Sequence, residues 1–278
     1  MDTSAPLAKN RGMAIDLHVE DSGGSGRPVV LIHGWPMSAK MWAPQTGPLT
    51  EAGLRVIAYD RRGFGRSEKP ADGYDYDTLA ADLDGLLTDL DLTDVTLVGF
   101  SMGGGEVARY IANHGEDRLR SVVFAAAVPP YLLQTEDNPE GPLTPEAAEE
   151  FSRGLEEDRE AFFDGFTRNF FSARGELQVT EQQRQDAIAM CHESDQTAAL
   201  GCAHAFATTD FRDDLKKVHV PTLVLHGYSD GIVPLSGSGQ RTHEMVTSEL
   251  TVIAGAPHGL NLSHSEQFNH ALLEFLAR

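Results

Sequence analysis

The stretch that most constrains this chain runs from Val95 to Ala112. Val95-Thr96-Leu97-Val98 is a β-branched apolar run, the pattern of a strand buried on both faces. Glu106-Val107-Ala108-Arg109-Tyr110-Ile111-Ala112 reads as a helix. Between them stands Gly99-Phe100-Ser101-Met102-Gly103, a G-x-S-x-G. A bare G-x-S-x-G recurs by chance in buried turns. Set between a strand and a helix, it predicts a sharp turn that lifts Ser101 to the top of a sheet in a strained backbone conformation. Gly99 and Gly103 have no Cβ, so strand and helix can approach closely. The helix then points its partial positive charge at the same place. Ser101 is therefore a candidate nucleophile.

The rest of the chain alternates strands with helices. Ala14 to Glu20 alternates apolar and polar residues, which suits an edge strand, after a loose arm over residues 1–12. Pro28–Ile32, Arg55–Tyr59, Leu119–Ala127, Thr222–Gly227 and Glu249–Ile253 read as further strands. Tyr76 to Leu90 reads as an amphipathic helix, with Leu79, Leu83, Leu86, Leu87 and Leu90 inward and Asp82, Asp84 and Asp89 solvated. A last helix is expected over Ser265–Ala277. This order implies an α/β fold with right-handed crossovers and a mainly parallel sheet. From Val128 to about Thr208 no clear strand is expected. Helical stretches follow there instead: Pro145–Leu155, Arg159–Phe171, Thr180–Cys191 and Asp195–Phe206. The expected organisation is a core of residues 1–128 and 209–278 with a helical cap, 129–208, inserted before the last two strands. Most of the cap phenylalanines (Phe151, Phe162, Phe163, Phe166, Phe170, Phe171) read as core, with one or two left to line a pocket.

Composition excludes some partners. The chain has 278 residues and a formal net charge of −20, so nucleic acid and anionic membrane surfaces are not expected to bind it. No apolar run approaches the roughly 20 residues that span a bilayer. The first residues lack the basic-then-apolar pattern of a secretory signal, so a cytoplasmic location is the expectation. Two cysteines, Cys191 and Cys202, do not imply a disulfide framework.

A serine nucleophile needs a base, and the base needs a carboxylate to orient it. Asp230 sits on the loop after one late strand and His258 on the loop after the next. Both loops open at the C-terminal edge of the sheet, where Ser101 lies. Of the eleven histidines, His258 alone combines a turn, a preceding strand and the chain order Ser, Asp, His. His33 and His226 end strands beside glycines but precede the last loop. His243, His264 and His270 fall on helical stretches. Acyl transfer also needs donors for a developing oxyanion. The N–H of Met102, after the nucleophile, is one candidate; that of Trp35, in the loop after an early strand, is the other. Pro36 has no N–H and fixes that loop. Gly63 and Gly65 form a G-x-G without the third glycine of a dinucleotide fingerprint, and read as a structural turn. No histidine pair or C-x-x-C has zinc-site spacing, so no metal is expected.

With those residues in place, the chain resembles the α/β-hydrolase superfamily over nearly its whole length. Gly99 to Tyr110 resembles the signature of the cofactor-free bacterial haloperoxidases, also called non-haem chloroperoxidases, perhydrolases or arylesterases. His33-Gly34-Trp35-Pro36, Tyr59 to Ser67, and Asn138-Pro139 agree with it. The resemblance implies an α/β-hydrolase fold and a serine esterase acting on small-molecule esters. It further implies an acyl-enzyme open to water or to hydrogen peroxide; peroxide attack gives a peracid that oxidises halide. In related esterases a proline directly after the oxyanion-loop aromatic, here Pro36, is associated with perhydrolysis. Homo-oligomers are common in such a family, although no stretch here identifies an interface. One departure is the acid segment His226-Gly227-Tyr228-Ser229-Asp230-Gly231, where the family usually has a glycine- and acid-rich run. The residues alone also admit a lactone or lactam hydrolase on the same triad, and a ligand-binding receptor on the same fold. Dehalogenase and epoxide-hydrolase chemistry is disfavoured, because those relatives carry an aspartate at the place of Ser101.

Overall fold

The computed structural model describes residues 15–278. The expected arm over residues 1–12, and Ala14, lie outside them. The apolar runs form strands: β1 (Val19–Asp21), β2 (Pro28–Ile32), β3 (Arg55–Tyr59), β4 (Val95–Phe100) and β5 (Leu119–Ala125). Two-residue strands β6 (Ser172–Ala173) and β7 (Glu176–Leu177) form a small hairpin of their own. The sheet then resumes with β8 (Thr222–Gly227) and β9 (Glu249–Ile253). The seven-stranded sheet has the order β1-β3-β2-β4-β5-β8-β9, with β1 antiparallel and the other pairs parallel. β4 and β8 are buried at every residue, as their unbroken apolar runs predict.

Helices cover both faces of this sheet. α1 (Ala43–Glu51), α2 (Tyr76–Asp89) and α3 (Met102–His114) precede the excursion from the sheet; α4 (Pro145–Glu157), α5 (Arg159–Phe170), α6 (Glu181–His192) and α7 (Gln196–Thr208) make it up. α8 (Arg212–Leu215), α9 (Gly239–Met245), α10 (Leu260–Ser263) and α11 (Ser265–Leu276) complete the chain. α1, α10 and α11 pack together, and α2, α3, α8 and α9 form a second layer. The four excursion helices start where the chain supplies a capping oxygen: Thr144, Asp158, Thr180 and Asp195 each accept from a backbone N–H of the first turn. At α6 the Gln183 side chain answers Thr180, closing a capping box.

Three expectations are corrected. The strand expected from Ala14 to Glu20 shrinks to β1. Asp16 and His18 pair instead with the loop at Ser67 and Glu68, while Ile15 and Leu17 still enter the core. The excursion from the sheet contains a strand pair, β6 and β7, where none was expected. Asp82 is buried rather than solvated: its carboxylate accepts from Arg62 Nε and Nη2 at 2.5 and 2.6 Å. Arg62 reaches it from the loop after β3, a partner that helical periodicity cannot show. The Gly63–Gly65 loop is a structural turn braced by Asp60, whose carboxylate accepts the N–H groups of Ala39 and Arg66 at 2.8 Å each.

Strand register positions the site. Ile32 pairs with Gly99, Phe100 with Ala125, Ala125 with Leu225, and Gly227 with Ile253. The C-terminal ends of β2, β4, β8 and β9 therefore stand level, and the loops they release converge on one edge.

Candidate active site

Ser101 occupies the turn between β4 and α3 with φ 54° and ψ −118°. That conformation costs a non-glycine residue about 1–3 kcal/mol, so the surroundings must hold it. Its N–H donates to the Ala125 carbonyl at 2.9 Å, and its carbonyl accepts from Gly104 and Val128 at 3.0 and 3.1 Å. The flanking glycines are required by contact: a Cβ on Gly99 would stand 2.5 Å from the Gly103 carbonyl oxygen, and one on Gly103 would stand 2.6 Å from that of Ile32.

The structure brings Ser101, His258 and Asp230 into one hydrogen-bonded line. His258 Nε2 lies 3.0 Å from Ser101 Oγ, and His258 Nδ1 lies 2.7 Å from Asp230 Oδ2. Ser101 is 7% exposed and His258 1%, so the line is nearly sealed from solvent. Asp230 Oδ1 accepts the N–H groups of Ile232 and Val233 at 2.9 and 2.8 Å. Burial opposes ionisation of Asp230. The charge of His258, the His226 and His258 hydrogen bonds and the charge of His226 outweigh it, and the carboxyl is held well below the usual carboxylate range. Phe170 and Phe100 pack against the His258 ring at centroid distances of 4.8 and 5.3 Å and fix its plane.

Trp35 and Met102 are also where the sequence placed them. Both are buried, and neither backbone N–H has an acceptor among the described residues. A buried N–H without a partner is uncommon and calls for an explanation. Met102 opens α3, so its N–H also lies at the positive end of the helix. The Trp35 indole faces the excursion helices. Its Nε1–H donates to the Ala199 carbonyl at 2.9 Å, and Phe151, Phe166 and Phe206 surround it at 5.1, 5.2 and 5.8 Å. Beyond Phe151 and Phe206 opens a cavity of about 560 Å³, also lined by Leu132, Leu133, Leu143 and Ile232.

Sequence reasoning missed two neighbours. His226 Nε2 lies 3.3 Å from Asp230 Oδ2 and 2.8 Å from the Val233 carbonyl oxygen, beside the line rather than in it. The second is a buried cluster of Tyr59, Arg61, Glu106 and His33 beneath the site. Its one sequence signal is a lone carboxylate, Glu106, directly after the glycine run. Cys191 and Cys202 are buried free thiols away from this line. Among the described residues, no group of three or more His, Cys, Asp or Glu side chains is placed to hold a metal ion, and no helix is long and apolar enough to cross a membrane.

A serine raised on a strand–helix elbow, with acid and base on later loops of one parallel sheet, is an α/β-hydrolase arrangement. Residues 27–265 match the model of the alpha/beta hydrolase fold family, and the chain belongs to that family. Within it, the chain is 44% identical to a non-heme chloroperoxidase of Kitasatospora aureofaciens, over 91% of this chain and 93% of the relative. It is 36% identical to a bifunctional esterase/perhydrolase of Acinetobacter calcoaceticus, over 94% and 96% of the two chains. The crystal structure of a bromoperoxidase from Bacillus anthracis superposes with a TM-score of 0.93 at 52% identity, covering 95% of this chain and 96% of that one.

Proposed function

We propose that this chain is a serine carboxylesterase for small acyl and aryl esters, with perhydrolase activity when hydrogen peroxide replaces water. The hydrogen-bonded line Ser101–His258–Asp230 is the observation that carries this reading. His258 Nε2 takes the Ser101 proton as Oγ attacks the ester carbonyl. Asp230 keeps the other imidazole proton on Nδ1 and faces the imidazolium that forms. The N–H groups of Trp35 and Met102 receive the developing oxyanion; losing one such donor costs about 10²–10³ in turnover. His258 then returns its proton to the leaving alcohol, which leaves an acyl-Ser101. Water attack releases the acid. Hydrogen peroxide attack releases the peracid and free Ser101, and the peracid passes its terminal oxygen to halide, giving hypohalite and the carboxylic acid. Residues 129–208 act as a cap whose aromatics keep water from the site.

The relatives named a chloroperoxidase and an esterase/perhydrolase support this choice within the hydrolases. The test is hydrolysis of an aryl acetate by purified protein, with hydrogen peroxide then titrated in, beside Ser101→Ala. Fast hydrolysis, diversion to peracid and an inactive Ser101→Ala are expected. Because proline after the oxyanion-loop aromatic accompanies perhydrolysis in related esterases, Pro36→Leu should lower the peracid-to-acid ratio. Hydrolysis that survives Ser101→Ala sinks the reading.

A further inference from the structure

Both candidate oxyanion donors must point at one spot, yet they come from different segments. Trp35 follows β2 and Met102 opens α3. A small error in their relative placement costs rate: a displacement of about 1 Å can lose about 10²-fold. Beneath them, Arg61 and Glu106 form a buried ion pair through Arg61 Nε and Nη2. Glu106 sits on α3, and its second oxygen accepts from Tyr59 Oη at 2.8 Å. Arg61 follows β3 and reaches the other segment through three of its nitrogens. Its Nη2 donates to the His33 carbonyl at 2.7 Å, and its backbone N–H donates to His33 Nε2 at 2.9 Å.

Arg61 Nη1 also lies 3.3 Å from His33 Nδ1, farther than the Gly34 carbonyl at 2.9 Å, so the backbone bond to Nε2 decides the histidine's tautomer. A nitrogen that accepts carries no proton, so neutral His33 holds its proton on Nδ1 and donates it to the Gly34 carbonyl at 2.9 Å. Burial, with the Arg61 charge beside it, pushes the His33 pKa well below its ordinary value and keeps the ring neutral. The Gly34 carbonyl and the Trp35 N–H are opposite ends of one planar peptide. Met37 N–H also donates to that carbonyl, at 3.1 Å. Holding the carbonyl end therefore aims the N–H end away from His33.

Resting on the ester-hydrolase reading of Ser101, we infer that Glu106, Arg61 and His33 are positioning residues of the oxyanion hole: they fix the peptide bearing the Trp35 N–H relative to the helix bearing the Met102 N–H. None of the three enters the Ser101–His258–Asp230 line. A buried ion pair is weak evidence of stabilisation, since apolar residues of similar volume often replace one at no cost to the fold. That property makes the inference testable. The full-length protein is compared with Glu106→Gln and with Arg61→Met/Glu106→Met, reading kcat and KM on an aryl acetate and the inhibition constant of phenylboronic acid. The boronate adduct on a serine places a tetrahedral oxygen where the oxyanion forms.

The double variant is expected to lose about 10²-fold in kcat with KM within about threefold, and to lose boronate affinity in parallel. Glu106→Gln keeps volume and an acceptor for Arg61 but removes the charge, so it should lose only about three- to tenfold. Being nearly isosteric, it decides the question alone if the double variant does not fold. Unchanged kcat and boronate affinity overturn the inference, as does a rise in KM without loss of kcat. Ser101→Ala separates the two readings. If it still hydrolyses ester, the hydrolase reading fails; if it is inactive while both network variants match the parent, this inference alone fails.

Discussion

Replacing Asp230 by Asn keeps the shape of the site and changes one proton. The Asn carbonyl oxygen can take over the Ile232 and Val233 N–H groups that Oδ1 now accepts. The amide NH₂ then faces His258 Nδ1 across the present 2.7 Å contact. Two donors cannot share that contact, so the imidazole proton moves to Nε2. That nitrogen lies 3.0 Å from Ser101 Oγ and must be free to accept from it. The charge is lost as well. Two unit charges at the 2.7 Å of the present pair attract by about 6 kcal/mol at an effective dielectric near 20. At about 1.4 kcal/mol per tenfold, removing that attraction from the developing imidazolium predicts a kcat lower by about 10⁴. The same exchange in a serine protease gives about that figure. The assay is aryl acetate hydrolysis with active sites counted by a fluorophosphonate, so that misfolded protein is not read as slow protein. KM should move only a few-fold, because the acid touches no substrate. A loss of less than about tenfold in correctly folded Asp230→Asn would refute the reasoning and move the orienting role to another group, with His226 the first neighbour to examine.

The same carboxyl gives a pH dependence. Its folded-state pKa is lowered, so its contribution to stability is present above the unfolded carboxylate pKa and is lost as pH falls through the folded value; urea midpoints measured on acidification should fall less steeply in Asp230→Asn than in the parent. Asp82→Ala strands the buried Arg62 guanidinium and should cost about 2–4 kcal/mol in urea unfolding, whereas Asp84→Ala, at a half-exposed position whose carboxylate lies 3.6 Å from His114 Nδ1, should stay within about 1 kcal/mol. Equal effects would mean that the Arg62–Asp82 pair does not form. Gly34→Ala should lower kcat with the chain still folded, because its Cβ would stand 2.9 Å from Phe100 Cδ1 and 3.2 Å from Ser101 Cβ, pushing the oxyanion loop off the nucleophile; an unchanged kcat would show that the loop yields without moving the Trp35 N–H.

What was legible in the sequence is what local rules encode. The sheet strands announce themselves as apolar runs because a parallel sheet is buried on both faces, and the four excursion helices begin at capping residues. Their predicted ends miss by one or two residues, since fraying and a last turn leave little mark on composition. Order and strand context single out Ser101, Asp230 and His258, which the structure brings into hydrogen-bond contact. A parallel sheet puts every strand's C-terminal loop on one edge, so chain order alone selects which loops can meet. The register observed at Ile32–Gly99 and Gly227–Ile253 then makes them meet.

What escaped the sequence has a common cause. Asp82 was assigned to solvent because helix periodicity describes one element's face, while its burial depends on an arginine 20 positions away on another loop. Glu106 and Arg61 are 45 positions apart, and His33 and Arg61 are 28 apart. A charged residue read alone has only two sequence-level fates, exposed or paired, and nothing local names the pair. In this fold these buried polar side chains nevertheless fall in sequence beside segments that local rules do recognise: Glu106 just after the glycine run of the elbow, Arg61 just after β3, and His33 just after β2. A parallel sheet brings those three positions to one edge for the same reason that it gathers Ser101, Asp230 and His258. The topology that gathers the proposed reacting residues thus also gathers the residues proposed to position the oxyanion donors, and a carboxylate that follows an elbow lies within reach of arginines on neighbouring strand ends.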